Sequence, residues 1–285
     1  MSAQALAEHA PAKINLALHV TGQRADGYHL LESLVVFCQA GDRISVSPSD
    51  KDSFRVSGRY AANVPIDGGN LVLRARDLFR EATGDGRSLS IHLEKNLPVA
   101  SGIGGGSSDA AAVLRALRRL PPAECDWPSL ALKLGADVPM CLSANPAIAR
   151  GVGEELEGFD GLPVLALVLV NPGVGVSTPA IFKALATREN PPLPKLQVRD
   201  RAGLIGWLRE TRNDLEPPAL AFAPTIGVAQ DALRSVGAEF VRMSGSGATS
   251  FGIFSSLDEA EAAAAEIARR EPDWFVQATT TEFAR

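Results

Sequence analysis

The sequence predicts an α+β fold. Apolar residues alternate with period two in some stretches and recur with helical spacing in others. These two kinds of segment do not alternate strictly, as they would in a doubly wound parallel sheet. A third observation, the shift to the strongly apolar run "VLALVLV" at 164–170, puts a boundary between two halves near residue 160. The expected domains are therefore 1–160 and 161–285.

In order along the chain, "KINLALHV" (13–20) alternates and reads as a strand, followed by the polar loop "TGQRADGYH". "LESLVVFCQ" and "DRISVSPS" read as two strands around a turn at Gly41. "GGNLVLRARDLFREATG" reads as a helix, with Asn70 as N-cap, Gly84 as the stop, and Leu71, Ala75, Leu78 and Phe79 on one face. "SLSIHLE" (88–94) is a further strand. A helix is expected from about Ser107 to Leu120, ended by Pro121 and Pro122 and buried along positions 110, 113, 114, 117 and 120. "WPSLALKLG" reads as a short helix and "GADVPMCLS" as a loop.

The second half opens with the apolar strand at 164–170 and the helix "TPAIFKAL". A proline-rich excursion at 190–194 and further helices follow, then a strand pair around "EFVRMSGSGATSFGIF". An Ala/Glu-rich helix over 257–269 and a final strand complete it.

Composition narrows the function classes. With 285 residues, 46% hydrophobic and 21% charged, the chain has ample material for a core. A net charge of -5 disfavours a nucleic-acid partner, which would want a basic surface. Cys38, Cys125 and Cys141 lack metal-site or disulfide-framework spacing and read as reduced thiols. The start "MSAQALAEHAPAK" has no basic start and no apolar core, and the run at 164–170 is too short to cross a bilayer. A cytoplasmic location without membrane attachment is the expectation.

The stretch "LPVASGIGGGSSDAAAVL" (97–114) carries the strongest chemical signal. Glycines let a backbone approach an anion and turn successive amides toward it. A helix N-terminus adds unpaired N–H groups and the positive end of its dipole. Ser107 or Ser108 is expected to cap that helix or offer a hydroxyl to phosphate or Mg²⁺. An acid in the first helical turn, here Asp109, suits the dipole whether or not it meets a nucleotide. The stretch is not a Walker loop, because no lysine follows the glycines. It is not a dinucleotide fingerprint either: Ser107 replaces the last glycine and Pro98 separates the loop from the strand before it. A dinucleotide-dependent oxidoreductase is disfavoured for the same reason, while a non-catalytic nucleotide-binding protein stays open on these residues alone.

The stretch "LPVASGIGGGSSDAA" resembles the second motif of the GHMP kinases. "APAKINLAL" resembles that family's first motif and "MSGSGATSFGIF" its third, in the same order along the chain. Ala100 and Ser101 stand where the family often has glycine, and Ile103 where it usually has leucine. The resemblance implies a ribosomal-S5-like N-terminal domain, a ferredoxin-like C-terminal domain and ATP-dependent phosphorylation of a small-molecule alcohol. Mg²⁺ is then expected to arrive with the nucleotide rather than in a protein cage. A monomer or weak homodimer is expected.

Site roles follow from the resemblance, position by position. Pro98, Val99, Ala100, Ser101, Gly102, Ile103, Gly104, Gly105, Gly106, Ser107 and Ser108 match the loop that holds ATP phosphates, and Asn70 and Lys95 match positions near the adenine. Asp137, in "GADVP", matches the catalytic base, although an aspartate in a turn is by itself more often a cap. Lys13 matches its cationic partner, where the residues alone suggest an exposed strand lysine; Asn15, two residues on and on the same face, matches a substrate contact. "PAKINLALHVTGQRADGYH", together with "GGGSSDAA" and "GADVP", resembles the members whose acceptor carries a cytosine nucleotide. Tyr28 and His29 then match the stacking ring and the polar reader of the base, Phe182 the ring on its opposite face, and Thr178 a hydroxyl contact. Helical spacing alone would put Phe182 in the core. Homoserine, mevalonate and sugars are the competing acceptors, and none of them has a base to stack.

Overall fold

The computed structural model describes residues 5–121 and 124–282, the last of these through its backbone alone. The first four residues of the amino-terminal stretch read above, and Pro122 of the expected helix stop, lie outside it. Contacts divide the chain into two units, each assembled from separated stretches. The first is Met1–Ala12, Gly41–Val99 and Gly104–Ser143; the second is Lys13–Ala40, Ala100–Ile103 and Ala144–Arg285. The composition break near residue 160 falls inside the second unit.

Two long strands run from one unit's residues into the other's: β1 (Leu6–Gln23) and β2 (His29–Pro48), which pair. The expected turn at Gly41 is therefore absent, and the two predicted strands are one. The glycine answers a packing demand instead. A Cβ there would stand 2.5 Å from the Ala10 carbonyl oxygen and collide with the His9 ring.

In the first unit, β4 (Leu89–Glu94) pairs antiparallel with Arg43–Pro48 of β2 and parallel with β3 (Ser53–Ser57). Helix α1 (Leu71–Thr83) begins and ends as its sequence requires. Asn70 Oδ1 accepts from the Val72 N–H at 2.8 Å, and Gly84 closes the helix in the left-handed region at φ 70°. Val72, Leu73, Ala75 and Phe79 are its buried residues, and Phe79 stacks on Trp127 with ring centroids 5.9 Å apart. Helix α2 (Gly105–Arg118) starts two residues earlier than expected. It is also buried well beyond one stripe, from Ser108 through Leu114, because its small alanines let α1 and α4 approach closely. Helix α3 (Trp127–Leu134) is capped by the Asp126 carboxylate. "VPMCLS", expected within a loop, forms the short helix α4 (Val138–Ser143), whose Val138, Met140 and Cys141 are buried. Burial of that apolar face overrides a turn signal from Gly135 and Pro139.

In the second unit, residues 31–35 of β2 pair antiparallel with β5 (Ala147–Gly151), which forms a hairpin with β6 (Glu155–Gly158). Strands β7 (Ala166–Asn171), β8 (Phe240–Met243), β9 (Ser250–Phe254) and β10 (Phe275–Glu282) form an antiparallel run in the order β10-β7-β9-β8. With α8 (Thr225–Ser235) and α9 (Leu257–Arg270) as its two helices, this is the ferredoxin-like arrangement. Ala166, Val168 and Val170, alternate residues of β7, pack with Ala229 and Leu233 of α8 and Ala263 and Ile267 of α9.

Helix α5 (Thr178–Lys183) follows β7, and helices α6 (Arg201–Arg209) and α7 (Glu216–Phe222) precede α8. A second cluster joins Leu18 and Val20 of β1 to Ile181, Leu215, Ile226 and Met243. No disulfide joins Cys38, Cys125 and Cys141; Cys38 and Cys141 are buried and Cys125 is half-buried. Among the described residues, no helix is long and apolar enough to cross a membrane.

Candidate active site

The glycine stretch leaves β4, passes Leu97 and Pro98, and turns three times through left-handed backbone, at Ala100 (φ 51°), Gly102 (φ 77°) and Gly104 (φ 66°). Gly104 is the residue that caps α2, with no side-chain hydrogen bond. The expected serine cap is thus replaced by glycine backbone. The first α-helical bond runs from the Ser108 N–H to the Gly104 carbonyl at 2.9 Å. The amides of Gly105, Gly106 and Ser107 precede it and carry the positive end of the helix dipole. The Ser108 hydroxyl is buried without a hydrogen-bond partner. An anion held by backbone is what this geometry favours.

Within the first unit, the charges beside this helix are buried. Lys95 Nζ donates to Asp42 Oδ2 at 2.5 Å and to Asp109 Oδ2 at 2.6 Å. Asp109 lies in the second turn of α2, not the first, so its partner is a lysine rather than the helix dipole. Burial pushes the Asp109 carboxyl up to about 8, with Lys95 opposing and Asp42 adding to the rise. Burial alone would lower Lys95, but Asp109 and Asp42 hold it above its ordinary value. The Lys95 ammonium, expected near adenine, is committed to these carboxylates. Asn70 Nδ2 donates to the Pro65 carbonyl at 2.6 Å while its Oδ1 caps α1. Asp137 directly precedes α4, its carbonyl accepting from the Cys141 N–H at 3.2 Å, and it is half-buried.

Within the second unit, the structure brings several candidates together. Lys13 and Asn15, on β1, are each 5% exposed, so Lys13 is not a solvated strand lysine. The Lys13 N–H donates to the Ile103 carbonyl at 2.9 Å. The Asn15 N–H donates to Ser244 Oγ at 3.1 Å, and Asn15 Nδ2 to Ser33 Oγ at 2.7 Å, while Asn15 Oδ1 is buried without a partner. Ser244 Oγ in turn donates to the Gly102 carbonyl at 3.0 Å, and the Thr249 N–H to the Ser101 carbonyl at 3.1 Å. The third glycine motif therefore holds residues 101–102 in place. Asn213 fixes that motif from behind, Nδ2 donating to the carbonyls of Met243 (2.9 Å) and Gly245 (2.8 Å). Thr178 Oγ1 and Ser246 Oγ share a hydrogen bond of 2.7 Å.

His29 and Phe182 stack, with centroids 4.8 Å apart and planes 29° apart. Phe182 also packs on the cluster around Ile181, as its helical spacing suggests, while its ring meets His29. Burial, with the Arg188 cation behind it, lowers the His29 pKa and keeps the ring neutral. Tyr28 is 65% exposed, its ring standing out in solvent.

Arg242 and Asn213 were not visible as site residues in the sequence. Arg242 is buried, donating to the carbonyls of Leu16, Leu208 and Thr211 and to Thr211 Oγ1 at 2.7 to 3.0 Å. Burial brings its pKa down to about 10, against the nearby Glu216. Its contact with Leu16 anchors the strand that carries Lys13 and Asn15. An arginine in a short strand gives no local signal of this, since its acceptors come from residues far away in the chain. Among the described residues no cluster of three or more His, Cys, Asp or Glu side chains forms a metal site.

Residues 70–145 match the family model for the GHMP kinases N terminal domain, and residues 193–273 that for the GHMP kinases C terminal region. The chain is 58% identical to a 4-diphosphocytidyl-2-C-methyl-D-erythritol kinase of Mesorhizobium japonicum, over 95% of this chain and 94% of that protein. It is 55% identical to the protein of the same name from Rhizobium meliloti, over 97% of this chain and 95% of that one. A crystal structure of 4-(cytidine 5'-diphospho)-2C-methyl-D-erythritol kinase superposes with a TM-score of 0.81 at 37% identity, covering 97% of this chain and all of that one. A homoserine kinase from Cytophaga hutchinsonii, at 19% identity and a TM-score of 0.66 over 98% of this chain and 95% of that one, shares the fold.

Proposed function

The chain belongs to the GHMP kinases, and from that premise we propose how its residues carry out the family's ATP-dependent phosphorylation. It is a 4-diphosphocytidyl-2-C-methyl-D-erythritol kinase, serving the non-mevalonate route to isoprenoid precursors. The observation that carries this is 58% identity along 95% of the chain to a kinase of that name. The acceptor is the 2-hydroxyl.

Phosphoryl transfer is chiefly positioning and charge stabilisation. The backbone from Pro98 to Ser108 receives the ATP phosphates; the left-handed turns at Gly102 and Gly104, and the start of α2 that no side chain caps, support that role. Asn70 and the backbone of Lys95 border the adenine. Mg²⁺ carried with the nucleotide would supply neutralisation of its phosphates within the loop that holds them. Asp137 takes the proton of the acceptor hydroxyl as its oxygen bonds to the γ-phosphorus. The bond from that phosphorus to the β–γ bridging oxygen breaks, and ADP leaves with the electron pair. Lys13, a buried cation, offsets the charge that develops.

Asn15, with its unpartnered Oδ1, and Thr178 orient the acceptor. Tyr28 and Phe182 stack on the cytosine and neutral His29 reads its polar edge; the Tyr28 exposure and the His29–Phe182 pairing support this subsite. The place of action is the cytoplasm, and the working unit a monomer or weak homodimer.

A coupled ADP-release assay tests the substrate. The cytidyl-methylerythritol acceptor is expected to give turnover while mevalonate and homoserine give none. Turnover with only the latter two would overturn the assignment.

A further inference from the structure

We propose that the buried triad Lys95–Asp42–Asp109 positions the phosphate loop by tying together its two ends. This rests on the reading of residues 98–108 as the ATP loop. Three ionisable side chains here are at most 5% exposed. Taking such groups out of water is costly, and apolar residues of similar size would commonly hold a fold as well. What the triad supplies is geometry.

Asp42 gathers three consecutive residues at the point where β4 becomes loop. Its Oδ1 accepts from the N–H groups of Asn96 (2.6 Å) and Leu97 (2.8 Å), and its Oδ2 from Lys95 Nζ. The same ammonium reaches across to Asp109, one turn into the helix on which the loop ends. It also lies against the first residue of that helix: a Cβ on Gly105 would stand 3.0 Å from Lys95 Nζ. One cation therefore sets the departing strand end and the arriving helix end relative to each other. The amides between them hold their directions before the nucleotide comes. Buried as they are, the three side chains act through the loop and are positioning residues.

Asp109→Ala isolates this role, because it leaves the Lys95–Asp42 pair intact and charge-balanced while cutting the link to α2. Steady-state kinetics should show the ATP KM raised about tenfold or more, with the KM of the cytidyl acceptor and kcat within about threefold of the parent chain. Asp109→Asn, which keeps an oxygen for Lys95, should restore the ATP KM. An Asp109→Ala protein with an unchanged ATP KM, or with both KM values raised together, would overturn the proposal. If that variant fails to fold, Asp109→Leu, which fills the same buried volume without an acceptor for Lys95, tests the same link by the same split. Absence of ATP turnover in the parent chain would instead remove the reading on which the proposal stands.

Discussion

The imidazole of His29 and the ring of Phe182 stack at 4.8 Å, and Phe182 reaches that position from α5 while packing on the apolar cluster around Ile181. One side chain thus serves the core and the proposed cytosine subsite. Phe182→Leu keeps most of the apolar contact and removes the aromatic face. It should raise the KM of the cytidyl acceptor about tenfold, as expected for losing a stacking partner. The ATP KM should stay as it is. An equal rise in both would place Phe182 in the core alone.

Asp137 and Lys13 carry the proposed chemistry. Asp137→Asn should lower kcat by roughly 10²- to 10⁴-fold, the usual worth of a positioned base. ATP binding, followed by titration of a fluorescent analogue, should be retained. Lys13→Met should depress kcat in the same direction. Near-parental turnover by the Asn variant would remove Asp137 from the mechanism.

His19 gives the fold a pH dependence of known sign. It is buried, with Nδ1 donating to the Pro191 carbonyl at 3.0 Å and Nε2 accepting from the Arg212 N–H at 3.1 Å. That pattern requires the neutral ring. Burial first, then the Arg212 cation, lowers its pKa. The unfolded chain takes up a proton below about pH 6.5 that the folded chain refuses, so stability falls as pH drops through that value. Urea midpoints at pH 7.5 and 5.5 should differ, and the difference should shrink in His19→Phe. An unchanged difference in that variant would assign the dependence to other groups.

The two ends of one turn in the glycine loop should respond oppositely to exchange. Ala100 sits at φ 51°, where a Cβ costs about 1–2 kcal/mol. Ala100→Gly relieves that cost and adds unfolded-state entropy worth about 0.4–1 kcal/mol, leaving a net gain of about 0.5–1 kcal/mol. Gly102→Ala puts a Cβ 2.5 Å from the Ser244 carbonyl oxygen and 2.7 Å from that of Gly247. The loop must then move off the third glycine motif, and the ATP KM should rise. Calorimetric melts and ATP kinetics check the pair together.

Legibility in the sequence followed the range of the physics involved. The ends of helix α1 could be read to the residue, because Asn70 and Gly84 act within one turn of them, whereas its buried residues include Val72 and Leu73 in place of the expected Leu71 and Leu78. Gly41 was misread, since the atoms that exclude a Cβ belong to His9 and Ala10 on another strand. Helix α4 was missed for a similar reason: six residues carry little periodic signal, and their burial decides the outcome. The glycine loop suggested through composition the phosphate site proposed above. Its support gave no such signal, because Asp42 lies 53 residues from Lys95, and Asn213 lies 32 from Gly245. Nothing local marks Lys13 as buried either; that position was legible only through its family motif.

The central claim is transfer of the ATP γ-phosphoryl group to the 2-hydroxyl of 4-diphosphocytidyl-2-C-methyl-D-erythritol. Phosphorus NMR of the product tests it most directly. Carbon 2 of this acceptor bears a methyl group and no hydrogen. The new monophosphate signal should therefore be a singlet, without three-bond coupling to a proton, and appear as ADP forms. A doublet or triplet, marking a phosphate on a secondary or primary hydroxyl, would contradict the account.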